Sequence, residues 1–249
     1  MKLQFAAEYG QLEQWHWWFR GRQHILERVL RRELGECESP AIASLGCGPA
    51  EGLGWLGPLA APHGRVIGVD AEPLHARRVA PNLECIVGRM EAVPLATGSC
   101  DAVLALDVLE HLDDDTAGLR EAARLVKPGG LLLVTVPALP SLWGGQDVVS
   151  HHRRRYTRPM LRALFGRAGL PAPRVTYFNT LLFPPVAAVR WARRALGQAD
   201  RPRSDFDDTR PGLLNSLLTS VFTAEQHLVS RFTLPVGVSL LATVRPARG

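Results

Sequence analysis

Residues 42–52 read Ile42-Ala43-Ser44-Leu45-Gly46-Cys47-Gly48-Pro49-Ala50-Glu51-Gly52, an apolar run that ends in two glycines one residue apart. Glycine lets the backbone turn sharply and lets a ligand approach where a side chain would otherwise stand. A tight turn after a buried strand creates a binding crevice at the carboxyl edge of a parallel sheet. The stretch alone fits a plain turn equally well, so the neighbouring segments decide its role.

A second apolar run, Arg65–Val69, ends in Asp70, which follows Gly48 by 22 residues. An acid at this place can accept hydrogen bonds from the hydroxyls of a ribose. Glycine turn, helix, strand and acid follow one another as in a nucleoside-binding α/β unit. Gly46, Gly48 and Gly52 also come within one residue of the dinucleotide pattern Gly-x-Gly-x-x-Gly, which keeps a nicotinamide oxidoreductase open as an alternative.

Two motifs further along separate these classes. The strand Ala102–Leu106 runs into Asp107-Val108-Leu109-Glu110-His111, and a helix then leads to Lys127-Pro128-Gly129-Gly130 before the strand Leu131–Val136. With these motifs, residues 40–137 resemble class I S-adenosylmethionine-dependent methyltransferases of the methyltransferase type 11-like family. The Lys-Pro-Gly-Gly turn and the single nucleoside unit argue against a nicotinamide enzyme.

The resemblance implies an α/β fold, a Rossmann-like seven-stranded doubly wound sheet with the order 3-2-1-4-5-7-6. We expect a helical lid over residues 1–35, a core from 36–178 and 235–249, and a helical insertion over 179–234 before the last strand. Helices are expected over Glu51–Ala61, from Pro73 onward, and over 116–126, 158–169 and 213–232.

Composition and charge fit a globular protein. The chain has 249 residues, 46% hydrophobic and 21% charged, with a formal net charge of +5. Lys2 and Lys127 are its only lysines, and no basic stripe with stacking aromatics extends along it, so we expect no nucleic-acid partner. The four cysteines form no Cys-x-x-Cys pair and indicate reduced thiols. Met1–Phe5 shows no signal-peptide core and no run of 18 apolar residues occurs, which predicts a cytoplasmic protein without a metal site.

The resemblance assigns S-adenosylmethionine as cofactor and S-adenosylhomocysteine as product. The glycine turn would admit the methionine part, Asp70 the ribose, and the main chain near Met90 the adenine edge. Arg20 or Arg22 of the aromatic-rich helix could face a carboxylate. The predicted cofactor-binding residues are Arg20, Leu45, Gly46, Cys47, Gly48, Asp70, Ala71, Arg89, Met90, Glu91, Asp107, Val108 and His111.

The loop over residues 138–157 follows the fifth predicted strand and therefore lies on the crevice side. It resembles a subfamily pattern His-Asp-x4-His-x-Arg-Arg-Tyr, in which Gln146 replaces the first histidine. A histidine near neutral pKa suits a general base, and the alternative is that these residues only tie the loop down. The predicted catalytic residues are His152, Tyr156 and His151; the predicted substrate residues are Trp18, Trp143, Asp147, Arg154 and Arg155.

Three positions depart from the family pattern: Ser44, Ala50 and Arg89 stand where an acid, a glycine and an acid are usual. Methyl transfer to an oxygen, nitrogen or carbon of a small hydrophobic or lipid-linked acceptor is the first hypothesis. A cofactor-binding relative with a non-methylating role, such as cyclisation or scaffolding, is the second. The insertion is interpreted as a substrate cover, a homodimer surface or a peripheral membrane contact, and these stay open.

Overall fold

The computed structural model describes residues 12–35 and 37–246, and within them eight strands form one sheet. Its order is β3-β4-β2-β1-β5-β6-β8-β7. Neighbouring strands run parallel from β4 to β6, whereas β8 runs antiparallel to β6 and β7, and β3 antiparallel to β4. The strands are β1 Ala41–Leu45, β2 Arg65–Asp70, β3 Arg77–Ala80, β4 Leu83–Val87, β5 Cys100–Leu106, β6 Val126–Pro137, β7 Arg174–Phe178 and β8 Ser239–Val244.

The sheet confirms the predicted fold class and strand order, with one strand added at the edge. The residues after Asp70 do not form the expected helix: a short 3₁₀ turn, Pro73–His75, leads into β3, which pairs back onto β4. Pro81 lies in the turn between these two strands, where its fixed φ favours a reversal of the chain.

Eight α-helices of the described residues surround the sheet. They are α1 Trp17–Leu34, α2 Gly57–Ala60, α3 Asp115–Leu125, α4 Gly145–Val149, α5 Arg158–Arg167, α6 Phe183–Ala195, α7 Leu213–Ala224 and α8 Gln226–Arg231. The helix expected over 51–61 is a 3₁₀ helix, Ala50–Leu56, followed by α2, and the helix expected over 213–232 is divided at Glu225 into α7 and α8. None of these helices is long and apolar enough to cross a membrane.

The two faces of the sheet carry different helices. Ile25, Leu26 and Leu30 of α1 pack with Ile42 on one face, beside the buried Phe222 of α7. On the other face, the buried leucines of α3 and α5 pack with Ala43 and Leu45. Successive β1 residues point to opposite faces of the sheet, and helices cover both faces. All five residues of β1 are therefore buried, as expected for a central parallel strand.

The start of α1 and the insertion are joined directly. The Asn215 side chain accepts from the Trp17 N–H at 2.9 Å and donates to the Trp15 carbonyl at 2.7 Å. Phe222 lies so close to Gly21 that an added Cβ there would stand 2.4 Å from the ring. The predicted lid therefore divides into a first half joined to the insertion and a second half within the core, and its residues before 12 lie outside the described chain.

Candidate functional site

A cavity of about 810 Å³ opens at the carboxyl edge of β1, β2 and β5. The chain moves outward from β1 to β2 and β4 and then returns to β5, so this edge is the point where the strand order reverses. Ligands of open α/β sheets bind at such points. The insertion and the loop after β6 supply the other walls.

The glycine turn forms the floor of this cavity. Gly46 and Gly48 have φ angles of 60° and 66°, in the left-handed region that favours glycine. The Cβ position of Gly48 faces open space, whereas a Cβ at Gly46 would stand 2.7 Å from Val108. The turn therefore presents bare main chain to the cavity, which fits close approach of a nucleoside cofactor.

Asp70 holds the turn in place from the end of β2. Its Oδ2 accepts from the Gly48 N–H at 2.7 Å, and its Oδ1 accepts from the Glu72 N–H at 2.9 Å and lies 3.0 Å from His75 Nδ1. A carboxylate offers about four lone-pair sites. Three of them are engaged, so Oδ2 keeps one lone pair for a ribose hydroxyl.

At the end of β5, Asp107 forms an ion pair with Arg22, whose Nη2 lies 2.8 Å from its Oδ2. The Thr135 hydroxyl donates to the other carboxylate oxygen at 3.1 Å, and the Arg22 guanidinium lies 4.9 Å from the Trp18 ring centroid. The structure thus brings Arg22, not Arg20, into the cavity. Arg20 is exposed to solvent because it points away on the opposite side of α1.

The loop after β6 is fixed by one buried carboxylate, Asp147 of α4. Its Oδ1 accepts from Arg155 Nε and lies 2.8 Å from His152 Nδ1, and its Oδ2 accepts from Arg190 at 3.1 Å and from the Gly144 N–H at 2.8 Å. Burial raises the pKa of Asp147, but the His152 hydrogen bond and the two arginines outweigh it and hold that pKa well below its usual range. Asp147 is a charged anchor behind His152.

Because Asp147 takes Nδ1, the Nε2 atom of His152 is turned toward the cavity, 3.9 Å from Glu110 Oε1. Glu110 is fully buried, and neither carboxylate oxygen has a hydrogen-bond partner among the described residues. Burial and the charge of Asp107 raise the pKa of Glu110 well above its usual value. Burial and the neighbouring His152 lower the pKa of His111 to about 4. The pKa shifts of Glu110 and His111 therefore both favour the neutral form of these two groups beside His152.

The roof is aromatic and comes from both ends of the chain. Phe206 of the insertion lies 5.2 Å from the ring centroid of His16 and 5.1 Å from that of Phe19. His16 Nδ1 accepts from the Trp18 N–H and caps α1, and burial lowers the pKa of His16 to about 4. Burial raises the pKa of Glu13, on the same wall, to about 7 against the charge of Arg22.

Eleven of the predicted site residues line the cavity and ten lie elsewhere. Those in the lining are Trp18, Gly46, Cys47, Gly48, Asp70, Asp107, Val108, His111, His151, His152 and Arg155. Those elsewhere are Arg20, Leu45, Ala71, Arg89, Met90, Glu91, Trp143, Asp147, Arg154 and Tyr156. His151 has a φ of 55° and an exposed side chain.

The residues outside the cavity have identifiable contacts. The buried Tyr156 hydroxyl lies 2.9 Å from Asp115 Oδ2, and Arg154 donates to the Leu112 carbonyl, so the two side chains tie the loop to the first residue of α3 and to the segment before it. Trp143 donates to Asp200 at 3.2 Å.

Four further residues predicted to bind the cofactor also lie outside the lining. Ala71 and Arg89 are exposed, Glu91 is half-buried and lies 3.6 Å from Arg89, and Met90 is buried in the core. Their roles toward the cofactor stay predictions.

The predicted site residues do not include Glu110, Glu13 or His16, and of the two arginines considered they include Arg20 in place of Arg22. Glu110 stands inside the quoted Asp-Val-Leu-Glu-His motif, so its position carried a signal. Glu13 and His16 precede α1 and both line the cavity, where the His16 ring meets Phe206 of the insertion.

The eight-stranded sheet, the glycine turn and the acid at the end of β2 are together typical of the class I methyltransferase-type α/β fold. Residues 43–134 match the family described as Methyltransferase domain. A protein of Mycolicibacterium smegmatis named Probable S-adenosylmethionine-dependent methyltransferase is 30% identical over 159 residues, 62% of this chain and 59% of that protein. The predicted resemblance to class I S-adenosylmethionine-dependent methyltransferases is confirmed over residues 43–134, and these similarities support the predicted cofactor.

Solved structures share the fold. The methyltransferase in a Haloferax volcanii complex with the Trm112 methyltransferase activator superposes with a TM-score of 0.61 at 22% identity, over 98% of this chain and 96% of that one. The [4+2]-cyclase SpnF superposes with a TM-score of 0.55 at 17% identity, over 91% and 81%. At these identities the likeness concerns the fold alone. The chain spans less than two thirds of the length of the curated relative quoted above.

Proposed function

We propose that this protein transfers a methyl group from S-adenosylmethionine to an oxygen, nitrogen or carbon nucleophile of a small, mainly apolar acceptor. One observation carries the proposal: a single cavity joins the glycine turn and Asp70 to the pair of His152 and Glu110. The two ends of that cavity have different chemistry, which suits a cofactor at one end and an acceptor at the other.

The glycine end fits the cofactor. The open space at the Gly48 Cβ position and the spare lone pair of Asp70 provide a cradle and an acceptor for the nucleoside. Arg22 and Asp107 neutralise each other beside this cradle, so the charges there are already paired. Bound S-adenosylmethionine supplies a methyl group on a sulfonium that needs no further activation, so alignment and exclusion of water are what the protein must provide.

His152 is the proposed base at the other end. Its Nδ1–H donates to Asp147, which fixes the tautomer with a free lone pair on Nε2. That lone pair can take the proton of an acceptor hydroxyl or amine as the nucleophile reacts. General bases of this kind contribute about 10²–10⁴-fold to the rate. Glu110, next to Nε2, can accept or return that proton.

The insertion is proposed to be a substrate cover. Leu182, Val186 and Val189 of its first part and Leu218 of α7 line the cavity, so an acceptor would lie against their apolar side chains. The alternative interpretations, a dimer surface or a membrane contact, would use the exposed Leu213, Leu214 and Leu217 on the outer side of α7. The cavity lining supports the cover and says nothing for either alternative.

A non-methylating role is the second hypothesis and is less favoured. The fold alone does not separate the two, since a cyclase shares it. The Mycolicibacterium smegmatis relative carries the name Probable S-adenosylmethionine-dependent methyltransferase, and the pair of His152 and Glu110 offers a proton acceptor that methylation of a hydroxyl or amine requires. We therefore place methyl transfer first.

Calorimetric titration of the purified protein with S-adenosylmethionine, S-adenosylhomocysteine and a nicotinamide dinucleotide is the deciding experiment. We expect both adenosyl compounds to bind and the dinucleotide not to bind. A screen of small apolar hydroxyl, carboxyl and amine compounds with labelled S-adenosylmethionine should then yield a methylated product. If only the demethylated compound binds, or no acceptor is labelled while both bind, the non-methylating role gains support.

A further inference from the structure

Glu110, His111 and His152 meet at the wall of the cavity with their ligand atoms turned toward one another. The carboxylate oxygen and the two ring nitrogens all lie within 4.8 Å of one another. The two imidazole rings stand edge to face with centroids 4.8 Å apart. One carboxylate and two imidazoles at this spacing are the donor set of many three-ligand metal centres.

The strongest independent observation concerns Glu110. A carboxyl group with no exposed surface normally has hydrogen-bond partners, because burial without them is costly. Among the described residues Glu110 has none on either oxygen, although it lines the cavity. A cation bound between this carboxylate and the two histidines would satisfy both oxygens.

His152 is held as a metal ligand usually is. A ligating histidine typically donates its second ring N–H to a carboxylate or a carbonyl, which orients the ring. His152 meets this condition through Nδ1 and Asp147 Oδ1, which lie 2.8 Å apart. The His111 ring stands edge to face against the His152 ring.

The cationic side chains nearby are already paired. Arg22 is engaged by Asp107, and Arg155 and Arg190 are engaged by Asp147. Their charges are therefore largely neutralised at the cluster, and a bound ion would meet one unpaired carboxylate.

We propose that Glu110, His111 and His152 bind one divalent first-row transition-metal ion of the zinc type, with an open position that faces the cavity. Imidazole-rich sets favour Zn²⁺, Co²⁺ or Fe²⁺ over Mg²⁺ and Ca²⁺, which prefer oxygen ligands. Ligand atoms around Zn²⁺ are about 2.0–2.2 Å from the ion and hence roughly 3–3.6 Å from each other. Side-chain shifts of about 1 Å would close the cluster to this size.

The role of the ion rests on the proposed methyl transfer. An acceptor hydroxyl or carboxyl oxygen at the open position would be held in place, and a hydroxyl there would lose its proton more readily to solvent. The Nε2 lone pair of His152 cannot hold the ion and a proton together. In the metal-loaded protein His152 is thus a ligand and no longer the base. The ion would instead lower the pKa of the acceptor hydroxyl, so that the hydroxyl loses its proton without a protein base.

The test is a Zn²⁺ titration of tag-free, EDTA-treated and dialysed full-length protein, followed by calorimetry, with Co²⁺ absorption as a second readout. We expect one Zn²⁺ per chain, visible Co²⁺ bands characteristic of a low-coordinate site, and no comparable binding of Mg²⁺. Glu110→Gln and His152→Ala should each weaken Zn²⁺ binding at least about 10–100-fold, the range seen for lost outer-shell partners. His63→Ala, a change at an exposed histidine on the amino side of β2, should leave Zn²⁺ affinity unchanged.

Circular dichroism and S-adenosylmethionine titration of each variant show that it is folded with an intact cofactor end. The proposal is overturned if the wild-type protein binds no Zn²⁺, or if both variants bind it as tightly as the wild type. Failure of S-adenosylmethionine to bind would overturn the proposed function and leave the metal result standing. If the protein binds no Zn²⁺ and its methylation activity is unaffected by EDTA, only the proposed metal site is overturned.

Discussion

The two ends of the cavity are built in opposite ways. At the glycine end, main-chain groups and one acid at neighbouring strand ends satisfy each other, as the bond from the Gly48 N–H to Asp70 shows. At the other end, which is the proposed acceptor end, Glu110 is buried with no hydrogen-bond partner among the described residues, and His152 is held by Asp147 of the same loop. The first end follows from sheet topology and is prepared before any ligand arrives. The second stores unsatisfied polar groups, which is typical of sites where chemistry occurs.

The largest effect on turnover is expected from a substitution at the acceptor end of the cavity. His152→Ala should lower turnover with the native acceptor by about 10²–10⁴-fold, because it removes the Nε2 lone pair as base or ligand. S-adenosylmethionine affinity should change little, since the glycine end is untouched. Steady-state kinetics beside calorimetry measures both. Turnover within a few-fold of the wild type would make His152 a purely structural residue.

Asp70→Ala tests the other end. Loss of the acceptor for a ribose hydroxyl and for the Gly48 N–H should cost about 1–3 kcal/mol of cofactor binding, roughly 5- to 150-fold in Kd. At saturating cofactor the turnover should stay near that of the wild type, the reverse of the His152→Ala pattern. Calorimetry with S-adenosylhomocysteine checks the first part. An unchanged Kd would remove Asp70 from the cofactor site.

Glu110→Gln sharpens the comparison through pH. The pKa of Glu110 is higher in the folded protein than in the unfolded chain, where it is near 4.5. Above pH 4.5 the unfolded chain therefore releases a proton that the folded protein keeps. The free energy of unfolding consequently decreases as the pH rises from about 4.5 toward the folded pKa, and Glu110→Gln removes this decrease. Thermal melts without added metal should show the variant gaining relative stability at pH 8 and no such gain at pH 4. Parallel curves for the two proteins would mean that Glu110 ionises normally.

The smallest effect is expected where Asn215 of the insertion joins the start of α1 beneath the aromatic roof. Asn215→Ala removes the two hydrogen bonds to the start of α1, which should cost about 1–2 kcal/mol and lower Tm by roughly 2–8 °C. Ser220→Ala on the exposed face of α7 is the matched control, since its hydroxyl bonds only within its own helix to the Ser216 carbonyl. Calorimetric melts measure both. Equal melting temperatures of Asn215→Ala and the wild type would show that these two hydrogen bonds contribute nothing to stability.

The sequence predicts the glycine end far better than the acceptor end, and the reason is physical. Two glycines and Asp70 indicate a turn and an acid that the parallel sheet brings together, and the family resemblance carried by the later motifs implies the strand order and the cofactor class. The edge strand β3 is missed because the segment before Pro81 carries no strong period. Glu110 stands in a recognisable motif, but its burial beside His152, like the ion pair of Arg22 with Asp107, depends on contacts between residues far apart in the chain, which no local pattern encodes. Asp147 is found by its motif, but its place behind His152 is visible only in three dimensions.

The clamp between Trp15, Trp17 and Asn215 joins residues up to 200 positions apart. A ribosome that adds about 5–20 residues each second needs about 10–40 s to connect them. During that interval the apolar start of α1 has left the ribosome and lacks its roof partners. The cavity can therefore be completed only late in synthesis, after the insertion has emerged and packed against the start of α1.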